Sequence, residues 1–266
     1  MPSTLLAFET LSNIRDLGGM PADGGRTIRP GRLFRCGHLA DLSDRDVRQL
    51  SGSVSMIIDF RSFEEQKRQP DKEIPGASYH HIPIVESLTA GITREEESDR
   101  DAISLLLFKP EEARQYMCNQ YRAFAASPLA VSGYAHFLRL LLENGSSDKA
   151  ALWHCTAGKD RAGIGTVLVQ EALGVPREEI TADYLYTREC LAKDIRHLSA
   201  YIKKEAGTDS PLADRSLNYL FGAEEEYLAT FYETVNEKYG SMEAFLEKAL
   251  GIGEEERSAL RAGFLL

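Results

Sequence analysis

Long apolar runs, positive charge and cysteine are the three things this sequence has little of, and each shortage excludes something. No stretch approaches the roughly 20 apolar residues that a membrane-spanning helix needs, so stable membrane insertion is not expected. Lys and Arg number 31 against 41 Asp and Glu, a net charge of −10. That sign argues against nucleic acid or an anionic membrane as a broad partner, because both need a basic surface. A small basic pocket inside an acidic protein is still compatible with an anionic substrate. The cysteines are Cys36, Cys118, Cys155 and Cys190, with no Cys-x-x-Cys pair to indicate a zinc site or a redox dithiol. Residues 1–10 lack the basic-then-apolar run of a secretory signal. Four reduced thiols in a cytoplasmic protein are therefore expected, although export without a signal leaves no trace of this kind. Internal repeats and low-complexity linkers are missing too, which favours one domain over residues 1–266.

What is present is ordinary in bulk, with 43% hydrophobic and 27% charged residues, values of a globular protein. The first half reads as mixed α/β. Gly31 to Cys36 is a short strand candidate. Ser43 suits a helix N-cap, with Asp44 and Asp46 in a first turn that favours carboxylates and a helix running through Leu50. Val54 to Phe60 is a β-rich apolar run that turns charged at Arg61, the pattern of a buried strand ending at a functional edge. Tyr79 to Val85 is a further strand, and Pro83 marks it as an edge or an end. From Glu86 to Ala126 the pattern predicts two amphipathic helices inserted between strands, whose apolar faces serve as core or as a lid over a pocket. Pro128 opens a helix that Asn144-Gly145 ends, Lys149 to His154 is a strand, and a helix from Ala162 to Leu173 stops at Gly174. Residues 176–266 read as helical throughout, with breaks at Gly207–Pro211, Gly240, Gly251 and Gly253.

The segment ALWHCTAGKDRAGIGTVLVQEAL carries the chemistry. An apolar strand ends at His154, a loop of small residues follows, and a helix begins near Arg161. Such a turn aims consecutive backbone N–H groups and the positive helix end into one concavity, which binds a tetrahedral oxyanion. Cys155 opens that nest, and a thiol there is expected to ionise well below the free value of ~8.5. Arg161 can close the ring with a planar fork that matches two phosphate oxygens. Gly158 allows close backbone approach and Ala157 adds little bulk, while Lys159 adds a second positive charge and Asp160 a carboxylate. A nucleotide-binding loop would need Gly where Trp153 stands and Ser or Thr where Asp160 stands. A rhodanese-type cysteine loop would leave the Lys-Asp pair without explanation.

The octapeptide His154-Cys155-Thr156-Ala157-Gly158-Lys159-Asp160-Arg161 resembles the Cys-x5-Arg signature of the protein tyrosine phosphatase superfamily. Its GKDR form resembles the bacterial atypical dual-specificity group, which acts on tyrosine, serine and phosphoinositide phosphates. Asn13 to Gly19, Arg29 to Arg35, Ile58 to Ser62 and the tail around Tyr239-Gly240-Ser241 fit the same group, so the resemblance covers nearly the whole chain. It implies an α/β fold with a small, mostly parallel central sheet flanked by helices. It also implies a metal-independent, cofactor-free hydrolysis through a phosphocysteine on Cys155. Thr156, Ala157, Gly158, Lys159 and Arg161 would bind the phosphate, His154 would support the thiolate, and Asp160 would be the general acid. Asp59, at a strand end, is the alternative acid, or else a structural carboxylate paired with Arg61. The lysine of the loop, Lys159, goes with phosphoinositide activity. Asn13 to Gly19 is expected to pack beside the loop without touching substrate. One position departs from the family: Ala162 stands where Thr or Ser usually follows the arginine. Without that hydroxyl the phosphoenzyme should hydrolyse slowly. The same departure is the feature that favours the other reading, a catalytically weak phosphate- or phosphoinositide-binding module.

Overall fold

The computed structural model describes residues 2–86 and 103–266. Its sheet contains β1 (Thr4–Leu5), β2 (Arg15–Asp16), β3 (Leu33–Cys36), β4 (Val54–Asp59), β5 (Ser78–His81) and β6 (Ala150–His154), in the order β1-β2-β3-β6-β4-β5. β3, β6, β4 and β5 run parallel, and β1 and β2 join antiparallel at one edge. The central strands are buried on both faces and mostly apolar, with Arg35, Asp59 and His154 as the buried polar residues towards their C-terminal ends. Side chains alternate between faces: Leu33, Ile58, Ala151 and Trp153 enter one apolar cluster, and Phe34, Ile57 and Leu152 enter the other.

Helix α1 (Asp44–Ser53) starts on Ser43, whose side chain accepts from the Asp46 amide. It runs three residues beyond the expected Leu50, through Gly52. Ser51 and Ser53 support the extension by donating their hydroxyls to carbonyls one turn back. Helix α2 (Phe63–Arg68) opens on a capping box made by Ser62 and Glu65. Strand β5 is shorter than the Tyr79–Val85 run suggests. The Ile82 amide donates to the Asp59 carbonyl and the Ile84 amide to the Phe60 carbonyl, the latter at 3.3 Å, but Pro83 between them offers no N–H and regular strand geometry ends at His81.

Helices α3 (Pro110–Ala126) and α4 (Pro128–Asn144) each begin with proline in the first turn, where its missing N–H costs nothing. Of the expected insertion over 86–126, residues 87–102 lie outside the described residues and residues 103–106 are helical. The remaining helix, α3, is a core element, burying Ala113, Met117, Tyr121 and Phe124. Helix α5 (Arg161–Leu173) is buried nearly all round and ends at Gly174, which takes the left-handed φ of 73°. Then follow α6 (Arg177–Cys190), α7 (Ala192–Glu205), α8 (Pro211–Phe221) and α9 (Glu225–Tyr239). Helix α3 packs against α8 and α9. Beyond α9, a helical turn (Met242–Ala244) passes into a π-helical turn (Phe245–Ala249) before α10 (Glu254–Phe264). The last residues are not helical: Leu265 bridges to Ile28, and the Leu266 amide donates to Thr27.

Candidate active site

Strand β6 ends at His154 and α5 begins at Arg161, so Cys155 to Asp160 form the turn between a buried strand and a helix N-terminus. Gly158 has a φ of +67°, and a Cβ there would lie 2.2 Å from the Cys36 carbonyl oxygen, so no other residue fits. The loop is gripped from outside by its carbonyls. Asn13 Nδ2 donates to those of Ala157 and Gly158, each at 3.1 Å. Arg35 Nη2 donates to Gly158 at 2.6 Å and Lys159 at 3.2 Å, and the His38 amide donates to Thr156 at 2.9 Å. Asn13 itself sits at a φ of 55°, a left-handed conformation that asparagine tolerates. The Asn13–Gly19 segment therefore braces the loop, and the Asp16 carboxylate ties it to the Arg29–Arg35 segment by accepting from the Gly18 and Gly31 amides. Arg15 and Arg35 both face Asp183 on α6, at 3.3 and 3.9 Å. Burial, with Arg15 adding to it and Asp183 opposing, draws Arg35 down to about 10. With carbonyls held outward and a helix N-terminus below, the loop can offer N–H groups to an anion.

Arg161 is aligned by a residue that the sequence reading did not single out. Glu65 accepts from Arg161 Nη1 at 2.6 Å and Nη2 at 2.8 Å, and takes the Thr156 hydroxyl at 2.5 Å. Burial opposes the Glu65 charge, but Arg161 outweighs it and, with Thr156 and the Ser62 amide, draws the carboxyl down to about 2. Glu65 grips the two terminal nitrogens, so the Nε edge of the fork is the part not committed to it. A signal for Glu65 existed: Ser62-x-x-Glu65 is a capping-box spacing directly after Ile58–Ser62.

Asp160 and Lys159 part company. Asp160 Oδ1 accepts from Tyr121 on α3 at 2.7 Å, and its side chain keeps 12% exposure. Lys159 was expected as a positive charge beside the pocket. Its ammonium is instead buried and donates to the Leu220 and Gly222 carbonyls, at 2.9 and 3.0 Å, at the end of α8. The unpaired carbonyls of a helix C-terminus attract a cation, and burial lowers the lysine's basicity although Asp160 at 3.4 Å opposes this.

Asp59, the alternative acid, has no exposed surface. Arg61 donates to both its oxygens at 2.8 to 3.0 Å, and the Tyr79 hydroxyl donates at 2.7 Å. Burial opposes its charge, yet His154 and Arg61 outweigh burial and hold it below the usual carboxylate range. Asp59 and Arg61 thus form a buried ion pair at the C-terminal end of β4. His154 Nδ1 lies 3.1 Å from the Cys155 carbonyl, to which it can only donate, and Nε2 lies 3.1 Å from Asp71. Burial disfavours the imidazolium, but Asp71 and Asp59 raise its basicity overall. Donor atoms of Asp59, Asp71 and His154 lie within 4.8 Å of one another, close enough to consider a metal. Arg61 already bonds both carboxylates, at 2.8 and 2.7 Å, and supplies the positive charge an ion would bring.

Ala162 is buried at the first turn of α5. The nearest hydroxyl on that helix, Thr166, donates to the Ala162 carbonyl at 2.8 Å and accepts from Trp153, so it is engaged away from the loop. Cys36, Cys118, Cys155 and Cys190 are all free thiols.

The family model of the tyrosine phosphatase family matches residues 6–266. A Cupriavidus necator protein assigned to the tyrosine-protein phosphatases is 30% identical over 263 residues, covering 98% of this chain and 88% of its own. The triple specificity protein phosphatase PtpB of Mycobacterium tuberculosis is 29% identical over 285 residues, covering 96% of each chain. A tyrosine-protein phosphatase of Nostoc commune is 25% identical over 253 residues, covering 91% of this chain and 76% of its own.

Proposed function

Because the chain belongs to the tyrosine phosphatase family, a family of cysteine-dependent hydrolases, we propose that it hydrolyses phosphate monoesters through a phosphocysteine on Cys155. The observation that carries this reading is the loop from Cys155 to Arg161. It joins a buried strand to a helix N-terminus, with its carbonyls tied back and its arginine aligned by Glu65. The Cys155 thiolate attacks phosphorus while the loop amides of residues 156–160 and the Arg161 guanidinium take up the charge on the equatorial oxygens. Asp160, in the same loop and with only a small part of its side chain exposed, protonates the leaving oxygen, and as carboxylate it then takes the proton of the water that attacks the phosphocysteine. His154 supports Cys155 through its carbonyl. Lys159 acts by clamping the loop to α8. We also read the chain as one phosphatase unit, because a single apolar cluster runs from Ile58 and Trp153 to Phe231 and Phe264 in the C-terminal helices.

Phosphotyrosine is the substrate we assign first, with phosphoserine, phosphothreonine and phosphoinositides as further substrates. A relative named for triple specificity supports a range wider than one ester. The resemblance links phosphoinositide activity to the loop lysine, and the buried ammonium of Lys159 weighs towards the protein esters.

The test is hydrolysis of 4-nitrophenyl phosphate in chelator by the wild type and Cys155→Ser, followed by rapid quench. Turnover by the wild type alone, with phosphocysteine accumulating before steady state, is expected, because Ala162 supplies no hydroxyl at the position where the family usually carries one for the second step. Replacing it, in Ala162→Ser, should shorten the life of that intermediate. Equal turnover by Cys155→Ser would overturn the mechanism.

A further inference from the structure

The carboxyl of Asp160 is held by a chain of buried hydroxyls. The Tyr184 hydroxyl on α6 donates to the Tyr121 hydroxyl on α3 at 2.7 Å, and Tyr121 donates to Asp160 Oδ1 at 2.7 Å. Both tyrosines are buried, with 1% and 0% exposure. Besides Lys159 and Arg161 in its own loop, the groups that face Asp160 are tyrosines: Tyr121, Tyr134 on α4, Tyr184 and Tyr227 on α9. Burial first pushes all four well above the ordinary phenol range, reinforced by the Asp160 charge at Tyr121 and Tyr184, by Cys155 at Tyr134 and by Glu224 at Tyr227, so each keeps its proton and has one to donate. Tyr134 gives its proton to the Arg161 carbonyl and Tyr227 to the Tyr219 carbonyl. Tyr184 gives its proton to Tyr121, and Tyr121 gives its own to Asp160. The chain runs one way and ends on one oxygen. Among the described residues Oδ2 has no hydrogen-bond partner, so it is the oxygen free to carry an acidic proton.

We propose that Tyr121, itself oriented by Tyr184, is a positioning residue for general acid catalysis, fixing Asp160 so that the transferable proton sits on Oδ2. The inference rests on the reading of Asp160 as the acid. In the first step the S–P bond forms as the P–O bond to the leaving group breaks, and the Oδ2 proton passes to the leaving oxygen. The Tyr121 hydroxyl then stabilises the carboxylate through Oδ1. In the second step water supplies the new O–P bond, the S–P bond breaks to release the Cys155 thiolate, and one water proton returns to Oδ2. Helix α3 thereby takes part in the chemistry through a single hydroxyl, although it contributes nothing to the Cys-x5-Arg loop.

The experiment compares Tyr121→Phe, Tyr184→Phe, Asp160→Asn and the Tyr121→Phe/Asp160→Asn double variant on phenyl phosphate and 2,4-dinitrophenyl phosphate. Phenoxide needs protonation to leave, and dinitrophenoxide does not. Tyr121→Phe should lower kcat/KM about tenfold on phenyl phosphate and leave the dinitrophenyl kcat/KM within about twofold, since kcat/KM reads only the step that forms the phosphocysteine and a general acid contributes there only where the leaving group requires it. Tyr184→Phe should do the same more weakly, and remains available if Tyr121→Phe does not fold. In the Asp160→Asn background, Tyr121→Phe should change nothing more. If Asp160→Asn selectively slows phenyl phosphate and neither tyrosine variant does, the positioning role is wrong while the acid assignment stands. If Asp160→Asn lowers kcat/KM equally on both substrates, the acid assignment fails and takes this inference with it.

Discussion

Glu65 holds Arg161 by both terminal nitrogens, and what that pair contributes depends on pH in a definite direction. Its carboxyl is drawn from an ordinary 4.5 to about 2, with burial opposing and Arg161 prevailing. A group whose folded value is lowered contributes stability that is complete above the unfolded value and is lost as the pH falls through the folded one. The stability gap between wild type and Glu65→Gln should therefore be on the order of 3 kcal/mol at pH 7, narrowing from about pH 5 towards pH 2. Denaturant unfolding across that range checks it, and a gap that stayed constant with pH would contradict the pairing. The same variant should lose on the order of 100-fold in kcat/KM at pH 7, because an arginine released from its aligning partner no longer waits in one geometry.

At the scale of elements, the turn between β6 and α5 tolerates no side chain where the chain passes closest to β3. Gly158→Ala would place a Cβ 2.2 Å from the Cys36 carbonyl oxygen while also forcing alanine to a φ of +67°. The loop or β3 must shift, so a fall of more than about 100-fold in kcat/KM is expected, since a misplacement of about 1 Å is enough for that. Gly207, between α7 and α8, has a similar φ of +60° but nothing within 4 Å of a built Cβ. Gly207→Ala should cost about 1 kcal/mol of stability and leave kcat/KM unchanged, which separates backbone strain from steric conflict at the site. Steady-state kinetics and thermal melts of the two variants side by side decide the matter, and equal losses of activity would overturn the steric account.

Across the whole molecule, the C-terminus is fastened to the segment that precedes β3. Phe264 is fully buried with the Arg32 guanidinium 5.2 Å from its ring centre, and its carbonyl accepts from the Arg29 amide at 2.8 Å. Phe264→Ala should destabilise by about 3–5 kcal/mol through the cavity it leaves. Phe264 is not among the residues of the loop or of its braces, so kcat/KM at 25 °C should stay within about threefold. Chemical denaturation read against the kinetics of the same preparation tests both halves. A variant as stable as the wild type would show that the C-terminal fastening contributes nothing.

Much of this molecule was legible in one dimension because its signals are local. Ser43 caps α1, Pro110 and Pro128 open α3 and α4, and Gly174 closes α5, each through chemistry contained within a few residues. The apolar runs of β4 and β6 announce strands covered on both faces, and Cys155 through Arg161 is contiguous. The sequence by itself therefore determined the family, the α/β class and the placing of thiol and guanidinium in one loop. The partners of that loop were decided only by the tertiary structure, because they come from far along the chain. Asn13 and Arg35 hold its carbonyls, Glu65 aligns Arg161, Tyr121 meets Asp160, and the end of α8 takes Lys159. A charged side chain in a sequence carries no record of the surface it will be pressed against. Burial and the nearest opposite charge, which exist only once the chain is folded, turned Lys159 into a clamp and Asp59 into a brace.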